Sequence, residues 1–495
     1  MNRVINTEVL IIGSGAGGAT TACELSRAGF EVLVLEEGKQ HSISDYGADS
    51  ATAIKRLYRN QGMTPILGTV PMGFVEGCCL GGTTEINSGL WYRLPPETAA
   101  SWQQQYHLQD FNYDNLEPHF EWAEKELSVS LRERPWPKNS TLLKKGADLM
   151  NWRANEVPRA ASACVDTNKC ASGCPKGAKQ GVSLQLIPQA RNAGAQFVPS
   201  CRVKRLLRNG SKITGAIAEF SDPLSRERHS KQTIQINAKA VFLCAGATQT
   251  PTLLYHSGIK HCVGNTFKIH PMLKVAALFD QQINSQNNVL PFVQVQEFLP
   301  DMSLCGAYFT PGYLAVTLGH GWTGSHKAMR DYRHMAMYSV TIHGTGKGQV
   351  RPSLLEEGRS TVRYELSKHD VHNLSQGLAR LCMLLLVAGA KEIYPCVRGL
   401  PKITSTDQVR RWLDGDELLP PTHLGLTTVH AFSSCPMGEL SNYCAADSFG
   451  KIFGLENLYI NDASMLPDGP SVNPQGTIMA IARRNALHFV ESATL

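Results

Sequence analysis

The chain has no hydrophobic run long enough to cross a membrane. Its longest apolar segment, LARLCMLLLVAGA at residues 378–390, falls short of the roughly 20 residues a spanning helix needs. It predicts a buried helix ending near Gly389. There is little room for an export signal either: MNRVINTEVLIIG runs within a few residues into a strand-like stretch that ends at Gly13, whereas a signal peptide needs an apolar core and a cleavage site. A cytoplasmic chain is expected, with peripheral membrane contact left open. Blocks of like charge are missing as well. The 48 Lys and Arg against 42 Asp and Glu leave a scattered net charge of +6, without the basic stripe of a nucleic-acid binder. No repeat and no low-complexity tract occurs. Fourteen cysteines are present, but close CxxC knuckles are not. The one cluster, CVDTNKCASGCPKGAK, holds Cys164, Cys170 and Cys174 at spacings that fit neither a zinc ribbon nor a reactive dithiol. No metal site is expected, and an intracellular chain keeps its thiols free.

What is present begins with a βαβ unit. At 495 residues the chain calls for two domains or one interleaved pair. Residues 7–38 give an apolar run, a glycine turn, a helix with small residues on one face, and a second apolar run ending in acid. Gly13, Gly15 and Gly18 form G-x-G-x-x-G, and Glu36 closes the second strand. The first glycine permits a tight turn, the second lets backbone approach a pyrophosphate, and the third lets helix and strand pack closely. The helix N-terminus then faces the phosphates, and Glu36 can accept from ribose hydroxyls. An acid there, without an arginine pair, argues against a 2′-phosphate.

A second strand-then-glycine unit spans 240–259 and stops at Ala245-Gly246, with Thr250 as an N-cap and Pro251 at the first helical position. Residues 201–220 predict two strands joined at Asn209-Gly210. Between about 280 and 425, stretches such as YLAVTL, HMAMYSVTI and STVRYEL alternate with period two, as in an antiparallel sheet. The chain ends with a strand, a loop rich in Pro and Gly, and a helix. Asn473 is placed to cap that helix, with Pro474 just inside it. In TTVHAFSSCPMG, residues 427–438, His430 stands alone. The segment by itself admits a metal ligand, half of a Cys-His pair, a base or a core histidine.

The stretch GCCLGGTTEINSGLWYRLP at 77–95, with Gly81-Gly82-Thr83-Thr84 followed by Asn87, resembles the flavin-contacting loop of the glucose–methanol–choline (GMC) oxidoreductases. GATQTPTLLYHSG at 246–258, HAFSSCPMG, and NLYINDASMLP with NPQGTIMAIA are similar to further blocks of that family, in its order. The resemblance implies an α/β fold: a Rossmann-like FAD-binding domain (1–95, 161–275, 426–495) interleaved with an α+β substrate domain built on an antiparallel sheet (96–160 as a lid insertion, 276–425). FAD is then the implied cofactor. Gly13, Gly15, Gly18, Glu36, Gly81, Gly82, Thr83, Asn87, Val203, Gly246, Asp462, Ala463 and Pro474 fall at its contacts.

In members that bind flavin covalently through a histidine of the first motif, that position aligns with Ile86, so non-covalent FAD is expected. His430 falls at the family's base position and Asn473 where members carry histidine or asparagine. Asp462, ending a strand, is assigned to the ribityl or pyrophosphate region, with a simple turn as the competing reading. Cys435 is read as a small buried neighbour, and His270 as structural or cofactor-side. His334, His343, His369 and His372 are read as surface or core.

The family pattern is broken at Cys78, where members often carry a basic residue, at Lys260 in place of a glycine, and in AFSS at 431–434. The block CASGCPKGAKQG resembles the long-chain alcohol and sterol oxidase branch, which implies an apolar alcohol oxidised to a carbonyl, with oxygen or a quinone or cytochrome as acceptor. A polyol, sugar or choline-type dehydrogenase, a flavin-containing lyase and a non-catalytic nucleotide-binding protein are the alternatives.

Overall fold

The computed structural model describes residues 3–132, 134–220, 232–288, 292–321, 325–356, 358–413 and 418–494. Two sheets organise them. The first runs in the order Gln196–Val198, Val32–Leu35, Arg3–Ile12, Thr233–Leu243, Lys212–Phe220, Cys201–Asn209, and Leu458–Ile460 lies beside the end of Thr233–Leu243. Its parallel strands are apolar without alternation because both faces are covered: Val32–Leu35 is buried at every residue. The helix Ala16–Arg27 follows the first strand and packs on the C-terminal helix Gln475–Thr494. The expected hairpin turn at Asn209-Gly210 is present, with Gly210 at φ +61°.

The second sheet has eleven strands, among them Thr64–Leu67, Met72–Phe74, Ala154–Glu156, Met272–Phe279, Met302–Gly306, Met335–Ile342 and Leu426–Thr428. Its pairings are antiparallel except for Ser360–Glu365 with Thr64–Leu67 and Leu426–Thr428 with Met72–Phe74. One face packs under the helix Lys368–Ala388. That helix starts in a capping box of Ser367 and Asp370 and stops at Gly389, which is left-handed at φ +109°. It is the one helix among the described residues long and apolar enough to cross a membrane, and most of it is covered by the rest of the chain. Along Met272–Phe279, Leu273, Val275 and Ala277 enter the core beneath it. The opposite face of the sheet looks into a cavity.

The fold is thus the expected α/β cofactor domain interleaved with an α+β domain, while several pieces of chain sit elsewhere than the division by residue number places them. The strands at 64–67 and 72–74 belong to the second sheet, as do 272–275 and 426–428. The helices Pro96–Tyr106 and Tyr113–Glu126, expected in a lid insertion, bury Trp102, Leu116 and Phe120 in the core of the first sheet, beside Leu10 and Ile12.

YLAVTL, expected in the antiparallel sheet, lies instead in the helix Pro311–Gly319, which the Thr310 side chain caps, and two helix starts also differ. The helix Gly246–His256 begins before Thr250, which leaves Pro251 inside it. A proline there removes the N–H that would reach the Ala247 carbonyl, and the Ser434 hydroxyl donates to that carbonyl instead, at 2.7 Å. At the C-terminal helix the Pro474 carbonyl accepts from the Ile478 N–H at 2.9 Å. Pro474 therefore holds the capping place, and Asn473 stands one residue outside it.

Candidate active site

The two domains share a cavity of about 1480 Å³, walled by both sheets. At one end the glycines of the first turn divide into two kinds. A Cβ on Gly13, which sits at φ +102°, would meet the Cys244 carbonyl oxygen at 2.3 Å, and one on Gly18 would meet the Gly13 carbonyl oxygen at 2.0 Å. These two are needed for the fold. Gly15 differs: no protein atom lies within 4 Å of its Cβ position, and no side chain caps the helix that begins at Ala16. Its free N–H groups face the cavity, the arrangement that receives a phosphate. Gly81 and Gly82 turn left-handed, at φ +93° and +57°, and a Cβ on Gly82 would stand 3.0 Å from Gly15 Cα. This second loop forms the opposing lip.

Glu36 lies in the wall beside this turn. It accepts from Ser14 N at 3.0 Å, Ser14 Oγ at 2.7 Å and Gly38 N at 2.8 Å. Burial raises its pKa, and those three donors oppose the shift. A carboxylate has about four acceptor sites, so one is left for a hydroxyl.

Sequence reasoning missed the next residue. Glu37 takes Arg59 at 2.8 Å and Arg202 at 3.1 Å. Burial alone would raise its pKa, but the two guanidinium groups hold it down at about 2. Arg59 also reaches Glu76 at 2.9 Å, so every charge here is matched. Val203 lines the same stretch of wall.

Asp462 departs from its expected role. Its carboxylate accepts from Gly246 N at 2.8 Å, Thr250 Oγ1 at 2.5 Å, Ser464 N at 2.7 Å and Ser464 Oγ at 2.5 Å. With its acceptor sites filled by protein donors, it begins the turn at Ala463 and pins the left-handed Gly246, at φ +87°, against that turn. It shapes the wall and offers no carboxylate to a cofactor. Thr83 is similarly turned inward, since its Oγ1 accepts from Gly77 N at 3.0 Å. Asn87 donates to Gln475 Oε1 and accepts from Gly89 N, joining the second loop to the start of the C-terminal helix. Ala463 and Pro474 line the cavity.

The cysteine block braces this loop. Lys179 Nζ donates to the Asn87 and Cys170 carbonyls at 3.0 Å each, and Arg159 lies 3.4 Å from Cys170 Sγ. Cys170 and Cys174 are buried, Cys164 is half-buried, and all fourteen cysteines are free thiols. A Cβ on Gly173 would lie 2.2 Å from the Tyr46 ring. Cys435 is buried, and burial pushes its thiol pKa up. Among the described residues no group of three His, Cys, Asp or Glu could hold a metal ion.

At the far side of the cradle His430 and Asn473 both face the cavity. His430 follows the strand Leu426–Thr428, whose partner Met272–Phe279 brings His270 alongside. The two rings meet edge to face at 85°, with Nδ1 to Nδ1 at 3.0 Å. His343 stands 6.3 Å from His270, ring centre to ring centre. The sequence suggested a structural or cofactor-side role for His270 and a surface or core place for His343. The register of strands far apart in sequence assembles the cluster, and no local spacing signals it. Burial lowers the pKa of His430 to about 4, and lowers His270 further because His430 and His343 add to it. Both imidazoles are neutral at neutral pH. His334, by contrast, points outward to the Asp280 carbonyl, and His369 is an exposed neighbour of Asp301.

The family described as GMC oxidoreductase matches residues 54–272 and 347–482, and a Rossmann-like NAD(P)-binding domain matches 11–44. The uncharacterised GMC-type oxidoreductase y4nJ of Sinorhizobium fredii is 34% identical over 482 residues, covering 97% of this chain and 94% of its own. The chain belongs to the GMC oxidoreductases. It is also 25% identical over 520 residues to the long-chain-alcohol oxidase FAO3 of Arabidopsis thaliana, covering 99% of this chain and 68% of that one. The crystal structure of formate oxidase has the same fold, with a TM-score of 0.74, 15% identity and coverage of 100% and 99%. Family and fold make this a flavin-dependent oxidoreductase acting on a CH–OH type of substrate. The residues present fit FAD: an uncapped helix N-terminus over an open Gly15, an acid with an acceptor site to spare, and a cavity that continues past them to a pair of histidines.

Proposed function

We propose that the protein oxidises an apolar alcohol to an aldehyde or ketone, with FAD held non-covalently, His430 as the base and Asn473 holding the same substrate oxygen. Bound FAD supplies the hydride acceptor; the chain's own residues bind, orient and move the proton. The observation that carries this reading is that His430 and Asn473 line the same cavity as the open glycine cradle. Imidazole is the side chain best suited to take a proton near neutral pH.

One of the two tautomeric arrangements of the Nδ1–Nδ1 contact suits this role. Only one of the two Nδ1 atoms can carry the hydrogen. When His430 Nδ1–H donates to His270 Nδ1, His430 Nε2 is left as a bare acceptor towards the cavity. After it takes the hydroxyl proton, His270 still accepts from Nδ1 and supports the cation. Asn473 makes no side-chain hydrogen bond among the described residues, so its amide is available to the substrate. Ile86 lines the cavity and has no atom that could bond to a flavin, in keeping with a dissociable cofactor. Similarity to a long-chain-alcohol oxidase and a wall including Met272, Val293 and Met302 support an apolar substrate body.

The test is anaerobic. The flavin-loaded protein is mixed with aliphatic, sterol, aromatic and sugar alcohols while the oxidised-flavin absorbance is followed. Bleaching by an apolar class, lost in His430→Ala, is the expected result, and admitting air then separates oxygen from a quinone or cytochrome as acceptor. A flavin that no alcohol bleaches refutes the reading.

A further inference from the structure

The substrate half of the cavity holds a cation that the alcohol chemistry does not use. Lys274 lies on the central strand Met272–Phe279, opposite Ser339 of Met335–Ile342. Period-two alternation places it on the cavity side with Met272, while Leu273 and Val275 go into the core. Its ammonium makes no ion pair or hydrogen bond among the described residues, and the Tyr313 ring lies 5.9 Å away, nitrogen to centroid. Burial lowers its pKa, and the nearby Cys396 opposes that only in part.

Charge balance across the cavity makes Lys274 stand out. The carboxylates in the wall are Glu36, Glu37, Glu76, Glu219 and Asp462, all outside residues 270–430. Four of these take protein donors already described, and Glu219 pairs with Lys204 at 3.6 Å. Between residues 270 and 430 the wall carries no Asp or Glu. There it carries Lys274 in its depth and Arg398, exposed at the surface, whose guanidinium is likewise without an acidic partner among the described residues. A half-buried ammonium with no counter-charge costs free energy unless water or a ligand supplies the compensation.

Resting on the reading of His430 as the base of an alcohol oxidation, we propose that the substrate is a hydroxy acid: an alcohol whose apolar body ends in a carboxylate bound by Lys274. Lys274 lies four positions after His270, which touches His430. Four steps of chain span at most about 13 Å, at about 3.3 Å per residue. A medium-length aliphatic body fits this span. Arg398 at the surface attracts the same anion on its way in.

Three probes test this: ω-hydroxydecanoate, decanol, and decanoate, which has no alcohol to oxidise. In the wild-type holoenzyme the kcat/KM for anaerobic flavin reduction should favour ω-hydroxydecanoate over decanol by at least about tenfold, the scale of a hydrogen bond to a charged group. Lys274→Met should erase that ratio, and Lys274→Arg should retain most of it. Decanoate, followed by its perturbation of the oxidised flavin spectrum, should bind the wild type and weaken by a similar factor in Lys274→Met. If the wild type reduces decanol as well as the hydroxy acid, the proposal falls without need of any variant. An equal ratio in wild type and Lys274→Met overturns it as well. If no alcohol bleaches the flavin while decanoate binds through Lys274, the alcohol reading fails and the anion site stands.

Discussion

The two ends of the cavity are built by opposite means. The cofactor cradle is made of backbone: an open Gly15, a second loop at Gly81 and Gly82, and a helix start left uncapped. Its carboxylates are matched by protein donors. The substrate wall is made of side chains on an antiparallel sheet, and two of its cations have no counter-charge among the described residues. A backbone site asks for glycine at fixed intervals, and the ligand only has to be the right shape. A side-chain site asks for particular groups at particular registers, and the ligand completes its charge.

The sharpest way to separate the two ends is His430→Ala. Loss of a positioned base slows the chemical step by about 10²–10⁴-fold, and the cradle, which shares no hydrogen bond with His430, should keep its FAD. Flavin content and the rate of anaerobic flavin reduction read the two effects independently. A variant that loses its flavin would mean that the ends are not separable.

Within the cradle, the contrast between open and closed glycines can be tested directly. Gly15→Val places its side chain where the protein has nothing and a cofactor would lie. FAD affinity should fall by about 10–100-fold while the apoprotein melts as wild type does. Gly18→Ala pushes a methyl group into the Gly13 carbonyl and should destabilise the fold by about 1–3 kcal/mol, the usual cost of overpacking. Equal melting of the two apoprotein variants would contradict the division.

On the proposed reading of His430 as base, His270 is the positioning residue behind it. His270→Phe keeps a ring but removes the Nδ1 acceptor, and kcat should fall by about 10–100-fold, as for other supporting hydrogen bonds, with KM little changed. His270→Asn keeps an acceptor oxygen and should recover part of the loss. A merely structural role would give no difference between Phe and Asn beyond stability.

The pH profile follows from the burial of His430. His430 has to be neutral to take a proton, and burial holds its pKa at about 4. The acid limb of kcat/KM should therefore lie near that value, below the ordinary imidazole value of about 6.5. The linked stability has the same sign. Between those two values the unfolded chain binds a proton that the native chain refuses, so native stability falls as the pH is lowered through that window. An acid limb at the ordinary imidazole value would show that His430 is solvated in the working enzyme.

The same difference in construction explains what could be read beforehand. The glycine turn, the loop at 81–87, the buried helix ending at Gly389 and the hairpin at Asn209-Gly210 depend on local conformation, and each leaves a residue-type signature at short range. The contact between His270 and His430 depends on pairing Met272 with Thr427, segments some 155 residues apart, and nothing local encodes that register. Lys274 was invisible for a related reason. In sequence it is one charge in an apolar run, and its isolation appears only when the neighbouring strands are in place. Helix starts were misjudged where tertiary donors overrode local capping rules: Thr250 resembles an N-cap, yet its hydroxyl is committed to Asp462 and the helix begins at Gly246. Asp462 itself was assigned by position in a motif, and only the count of its protein donors reveals what the carboxylate does.

The smallest expected effect joins the two ends. Ser434 belongs to the segment that carries His430, and its hydroxyl satisfies the Ala247 carbonyl that Pro251 leaves without a backbone partner in the cradle's second helix. Ser434→Ala removes one donor and leaves a buried acceptor bare, at a cost of about 1–3 kcal/mol. Pro251→Ala should restore a backbone N–H to that carbonyl and recover part of the loss, so the two substitutions together should cost less than the sum of each alone. A denaturant-midpoint cycle on the apoprotein, at unchanged slope, reads this coupling. Strict additivity would mean that the hydroxyl and the proline act independently, and that the active-site segment is held against the cradle by packing of Phe432 and Cys435 in the shared core.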